Sequence, residues 1–155
     1  MSKGDRLMGI IKHYFMPNAY VKSVFEINID KLADTGVKGI ITDLDNTLVG
    51  WDVVAPTEQI KQWFKEAREK GIQITIVSNN NEQRVGEFSK DLNVDFICKA
   101  RKPMGKAFKK AIKQMNIKPN ETVVIGDQML TDVFGGNRNG LYTICLLYTS
   151  LMARG

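Results

Sequence analysis

Two aspartates two residues apart, Asp43 and Asp45, close a short β-branched run, Lys38-Gly39-Ile40-Ile41-Thr42. At the end of an apolar strand two such like charges repel, and a cation between them relieves the repulsion. Asp127 follows a second apolar run, Thr122-Val123-Val124-Ile125-Gly126, and adds a third carboxylate, with Asp132 a little further on. An all-oxygen set with no histidine or cysteine beside it suits Mg2+ rather than zinc. Lys102 brings a positive charge to a helix start. Together with Mg2+ it would neutralise a phosphoryl group and the charge that builds during transfer. Ser78 ends a third apolar run. Its hydroxyl and the backbone N–H groups that follow, from Asn79 onward, are suited to phosphate oxygens. Thr47 stands ready to bond either the loop or a phosphate. Taken singly, each feature has a plainer reading. A lone Asp-x-Asp is often a turn or a helix cap, a lone lysine an exposed charge, and Asn80 or Asn81 a cap.

The elements that must position these groups alternate between strand and helix. Strands are expected over residues 38–43, 72–77, 94–98, 121–126 and 141–146. Ile60, Trp63, Phe64 and Ala67 recur at helical spacing over 57–69, with Pro56 near the start and Gly71 as the stop. Val85, Phe88 and Leu92 mark a helix over 82–92. Met104, Ala107, Phe108, Ala111, Ile112 and Met115 mark another over 103–116, opened by Pro103. A short helix is expected over 131–138, weakened by Gly135 and Gly136. Nearly uniform apolar strands separated by such helices imply parallel pairing with both sheet faces covered. The fold class is therefore α/β, a three-layer, Rossmann-like, mainly parallel sheet. In such sheets function gathers at the carboxyl ends of the strands. The polar clusters at 43–47, 78–80, 99–102 and 127–132 all follow strand ends, so they should meet on one edge.

The bulk numbers bound the rest. A chain of 155 residues, 43% hydrophobic and 25% charged, fits one soluble globular domain. No run of eighteen apolar residues predicts a spanning helix. The N-terminus carries no convincing secretion signal. Two cysteines, Cys98 and Cys145, are too few for a disulfide framework, so a reducing cytoplasm is the expected compartment. The net charge of +5 favours anionic partners. No signature of interleaved basic and aromatic residues appears, so no nucleic acid is expected. Leu7, Met8, Ile10, Ile11, Tyr14 and Phe15 share a helical face flanked by Lys3, Arg6 and Lys12. That amphipathic segment would lie in a membrane interface or pack on the domain. Residues 145–155, CLLYTSLMARG, resemble translated sequencing-adapter sequence, and the native chain is expected to be cut near Ile144.

The motifs, in this order and in this strand context, closely resemble the haloacid dehalogenase superfamily of phosphatases, subfamily IIIA. Asp43-Leu44-Asp45-Asn46-Thr47 matches the first motif, Ser78 the second, Lys102-Pro103 the third, and Gly126-Asp127 through Asp132 the fourth. The resemblance implies that Asp43 attacks phosphorus and that Asp45 serves as acid and then base. It implies that Asp43, the backbone carbonyl of Asp45 and Asp127 hold Mg2+ with help from Asp132, and that Ser78 and Lys102 hold phosphoryl oxygens. The gaps between motifs are too short for a cap domain, so residues 38–144 should form an open-sited phosphatase domain behind an N-terminal segment, 1–37. The details LDNTL, SNN, GDQMLTDVFGGNRNG and PNAYVKSVFEI are similar to the bacterial YqeG-type group. That group is in turn similar to phosphatidylglycerophosphate phosphatases. The implied substrate is that anionic phospholipid, met by a cytoplasmic protein peripheral to the inner face of the membrane. Two other readings stay open: a phosphatase of a soluble phosphometabolite or phosphoprotein, and a non-catalytic binding protein on this fold.

Overall fold

A computed structural model of the chain describes residues 19–99, 105–127 and 142–146. The expectations placed on Lys102, Pro103, Met104, Asp132, the helix over 131–138, the amphipathic N-terminal segment and the chain beyond Leu146 lie outside those residues. The described elements, in chain order, are β1 (Ala19–Val21), α1 (Ile29–Asp34), β2 (Gly39–Thr42), α2 (Glu58–Glu69), β3 (Gln73–Val77), α3 (Glu82–Leu92), β4 (Asp95–Ile97), α4 (Gly105–Met115), β5 (Thr122–Gly126) and β6 (Tyr142–Leu146). Single 3-10 turns precede α1 and β5, at Val24–Glu26 and Pro119–Glu121.

All six strands pair in parallel, in the order β1-β6-β5-β2-β3-β4. The strand residues alternate between two cores. Ile40, Ile74, Ile76, Val123, Ile125 and Ile144 face one side, covered by α1, α2 and α3; Ile41, Val77 and Val124 face the other, covered by α4. The sheet is thus the middle of three layers, which is why its strands are apolar throughout rather than alternating.

Local chemistry sets the helix ends. Thr57 caps α2 by accepting the Ile60 N–H at 3.1 Å. The helix stops where Gly71 takes φ +78° and the Ile72 N–H returns to the Ala67 carbonyl at 2.9 Å, a left-handed stop that glycine adopts without strain. Asn81 caps α3 through the Arg84 N–H at 2.8 Å, and Asn93, at φ +54°, closes it. At the other end of the site's own strand, Gly39 lies where α4 meets β2. A Cβ there would overlap Ile117 Cδ1 and touch Met115 Sδ at 3.0 Å. Both are far ends of flexible side chains that can move aside, so Gly39→Ala should cost only about 1 kcal/mol of unfolding free energy, the low end of overpacking, read as a slightly lowered urea midpoint with an unchanged slope.

The sheet also recruits the segment before residue 38. Ala19–Val21 pairs with β6 as an edge strand, register Ala19↔Ile144 to Val21↔Leu146. β6 continues past Ile144, with Cys145 and Leu146 buried. Among the described residues no helix is long and apolar enough to cross a membrane.

Candidate active site

The chain runs β2, β3, β4 outward on one side, then returns to place β5 on the other side of β2. The crevice at the carboxyl ends of β2 and β5 is the switch point of this sheet, the position where such folds hold their ligands. Asp43 stands there. Its backbone N–H donates to the Ile125 carbonyl at 3.2 Å, and Thr42 Oγ1 donates to the Asp43 carbonyl at 3.0 Å. Leu44, fully buried, anchors the next residue in the core. The loop then turns on itself. Asn46 takes φ +63° and donates its N–H to the Val49 carbonyl at 2.7 Å, while the N–H groups of Thr47 and Leu48 return to the Leu44 carbonyl. The left-handed residue is an asparagine, a side chain that tolerates this geometry.

Asp43 carries the sharpest electrostatic signature of the described residues. Its pKa is raised from 3.8 to about 7. Burial is the largest cause. The Leu44 N–H, which donates to Oδ1 at 2.7 Å, partly offsets it, and the charges of Asp127 and Asp45 push it further up. This is the profile of a carboxylate site short of positive charge. A divalent cation among Asp43, Asp127 and the Asp45 backbone would supply that charge, and the oxygen donors present fit Mg2+. No three carboxylate, histidine or cysteine side chains converge as a metal cluster among the described residues. The side chain of Asp45 points instead at other partners.

Those partners are Asn80, which the sequence placed in the 78–80 cluster and offered as a cap, and Arg84, which the sequence had not marked. Asn80 Nδ2 donates to Asp45 Oδ2 at 2.9 Å, and Arg84 donates to Asp45 Oδ1 through Nη2 at 2.8 Å and Nε at 3.3 Å. Of the two asparagines considered as caps, Asn81 caps α3 and Asn80 reaches the site. One signal for Arg84 was available: it precedes Phe88 by four positions, so it shares the inward edge of α3. Its guanidinium carbon lies 5.8 Å from the Phe88 ring centroid.

Ser78 is buried at the end of β3. Its N–H bonds the Ile97 carbonyl at 2.9 Å and its Oγ accepts the Asn80 N–H at 3.1 Å, which leaves the hydroxyl proton to donate. Asn79, next to it, is exposed. Lys99, at φ +52°, joins the two loops by donating its N–H to the Asn80 carbonyl at 2.9 Å. Thr47 is buried and its Oγ1 has no hydrogen-bond partner among the described residues, so it braces nothing in the loop. The fold thus brings Asp43, Asp45, Thr47, Ser78, Asn79 and Asp127 to one edge of the sheet.

The site is a set of carboxylates in the switch-point crevice of a parallel three-layer sheet, with a buried serine at the end of the neighbouring strand. The chain belongs to the haloacid dehalogenase-like hydrolases, whose family model matches residues 18–140. It is a phosphatase of that family, a hydrolase of phosphoric monoesters, of the YqeG type. It is 56% identical over 138 residues to the probable phosphatase YqeG of Bacillus subtilis (strain 168), covering 89% of this chain and 80% of that one. It is 26% identical over 149 residues to phosphatidylglycerophosphate phosphatase 1, chloroplastic/mitochondrial, of Arabidopsis thaliana, covering 86% of this chain and 41% of that protein. Among solved structures it shares the fold of 3-deoxy-D-manno-octulosonate 8-phosphate phosphatase from Moraxella catarrhalis. The TM-score is 0.58 at 20% identity over 75% of this chain and 71% of that chain, and that structure holds a magnesium ion, a phosphate ion and a KDO molecule.

Proposed function

We propose that the chain is a Mg2+-dependent phosphatase that works through an aspartyl-phosphate on Asp43 and acts on phosphatidylglycerophosphate. The observation that carries the mechanism is Asp43 itself: a half-buried carboxylate at the switch point, its pKa raised to about 7 by burial and by Asp127 and Asp45. Asp43, the backbone carbonyl of Asp45 and Asp127 would hold the metal, with Asp132 assisting. Once bound, Mg2+ supplies positive charge that keeps Asp43 ionised and offsets the charge of the phosphoryl group.

Asp43 attacks phosphorus and displaces the ester oxygen. Asp45 gives that oxygen a proton, and afterwards takes one from the water that frees phosphate. The side chain of Asp45 suits this task because Asn80 and Arg84 engage it, leaving its backbone to the metal. Ser78 and the N–H groups around Asn79 bind phosphoryl oxygens, joined by Lys102. Thr47 belongs to the same phosphate-binding set.

Three features support a lipid substrate. The plant relative acts on phosphatidylglycerophosphate by its name. Between Asp43 and Ser78 the chain holds only a loop, α2 and β3, so no cap domain interrupts that stretch and a headgroup presented by a membrane has access. Trp51 and Val54, 72% and 67% exposed, sit on the loop just past Asp45. They offer an apolar edge to the lipid interface, next to a protein of net charge +5. Membrane contact is peripheral, on the cytoplasmic side. Phosphate release from phosphatidylglycerophosphate vesicles, measured against a panel of soluble sugar, glycerol and nucleotide monophosphates, tests this. Turnover concentrated on the vesicles is expected. Strong turnover of a soluble ester with none of the lipid would assign the site to a soluble metabolite.

A further inference from the structure

Arg84 makes more contacts than any role so far requires. Its side chain is 14% exposed, and every nitrogen is engaged. Nε and Nη2 both donate to Asp45 Oδ1, Nη2 also reaches the Gly50 carbonyl at 3.3 Å, and Nη1 donates to the Val53 carbonyl. The guanidinium stacks its carbon over Phe88, which is fully buried. A planar fork with five donors suits such convergence, and a lysine ammonium could not reproduce it.

The division of Asp45's two oxygens is unequal. A carboxylate oxygen offers two lone-pair sites. Oδ1 receives two donors from Arg84, whereas Oδ2 receives one, from Asn80. We infer that Arg84 is a positioning residue for proton transfer: it saturates Oδ1, fixes the carboxylate plane, and leaves Oδ2 as the oxygen that carries the proton to and from the reacting ester. The inference rests on the acid–base role proposed for Asp45. In the first half-reaction the Oδ2 proton passes to the leaving oxygen as the P–O bond breaks. In the second, Oδ2 takes a proton from water as water attacks the aspartyl-phosphate. With its nitrogens held by Asp45, Gly50 and Val53, Arg84 acts through Asp45. By holding Gly50 and Val53 as well, it sets the loop that borders Asp45.

The consequence is selective. An alkoxide leaving group needs the proton, whereas p-nitrophenolate departs without it. Arg84→Ala should therefore lower kcat on the best alkyl phosphate of the panel by about 10²-fold, the scale of a displaced catalytic group, with KM in place. With p-nitrophenyl phosphate the first-turnover burst of p-nitrophenolate should slow only several-fold, whereas steady-state turnover falls with the slower release of phosphate from Asp43, where Oδ2 is needed as base. In an Asp45→Ala background the further change to Arg84→Ala should cost almost nothing on the alkyl ester, because the two act as one unit. A p-nitrophenolate burst slowed as much as turnover of the alkyl ester, or losses of the two single variants that multiply in the double variant, would overturn the assignment. If Arg84→Ala does not melt as a folded protein, Arg84→Lys carries the same comparison, since it gives up the carbonyl contacts and the two-donor grip on Oδ1. Asp43→Asn, run alongside, separates the two ideas. An inert Asp43→Asn with an Arg84→Ala burst slowed as much as its alkyl-ester turnover overturns the Arg84 role alone, while activity that survives Asp43→Asn overturns both.

Discussion

Asp43→Asn should abolish phosphate release while making the metal-free protein more stable at neutral pH. The loss of activity should be at least about 10⁴-fold, because an amide is no nucleophile toward phosphorus and nucleophile removal costs on that scale or more. The gain in stability follows from the raised pKa. Unfolded, the Asp43 carboxyl loses its proton near 3.8; folded, it holds it to about 7. Between those values the folded chain binds the extra proton. The stability this contributes is present below about pH 4 and is lost as pH rises through 7. By pH 8, without metal, the folded protein carries a half-buried, uncompensated carboxylate whose cost is at most about 4 kcal/mol. Asparagine removes it. Thermal melts in a chelating buffer should show the variant melting above the natural residue at pH 8 and level with it near pH 4. A variant that melts lower at both values would mean that Asp43 is an ordinary structural carboxylate.

The metal supplies the second large effect. Protons and Mg2+ compete for Asp43, so Mg2+ should stabilise the protein strongly at pH 8 and weakly at pH 5. A metal at a hundredfold excess over its Kd adds roughly 2.7 kcal/mol to the folded state, and for a chain of this size that is a rise in Tm of roughly 5–10 °C. The rise should shrink at pH 5, where Asp43 is protonated, and should vanish in Asp43→Asn at either pH. An equal rise at both pH values, or one that persists in the variant, would place the metal elsewhere. Such behaviour is common to functional sites: the group that makes the chemistry possible is held at a cost to the fold, and the cofactor offsets it.

Much of this was legible in the sequence, for physical reasons that differ by element. The stripe Ile60, Trp63, Phe64, Ala67 is long and periodic, and all four side chains are buried in α2. The run Gly39–Thr42 is entirely buried, as its uniform apolar character required. Glu82–Leu92 begins and ends where the caps Asn81 and Asn93 allow. β1 escaped notice because three residues carry no period. It is a strand only because β6 offers a free edge. α1, six residues long, is likewise too short for a stripe. The site divides in the same way. Asp43, Ser78 and Asp127 are marked by their positions at strand ends, which the chain's order reveals. The contact of Arg84 with Asp45 joins residues far apart in sequence, and neither residue's neighbours announce it. It exists because α3 starts directly beside the β2 loop. Pairings of that kind follow from packing, and a linear pattern does not encode them.

The central claim is that phosphorus passes through Asp43, and the phosphoenzyme itself is its most direct test. Asp45→Asn mixed with p-nitrophenyl phosphate and Mg2+ should form the aspartyl-phosphate without needing an acid and hydrolyse it slowly for want of a base. Acid quenching within the first turnover, followed by digestion and mass spectrometry, should find one phosphoryl group on the peptide that holds Asp43. The adduct should be labile to hydroxylamine, as an acyl phosphate is, and absent from Asp43→Asn. Release of phosphate in that first turnover with no adduct at any time, or an adduct on another residue, would contradict the account.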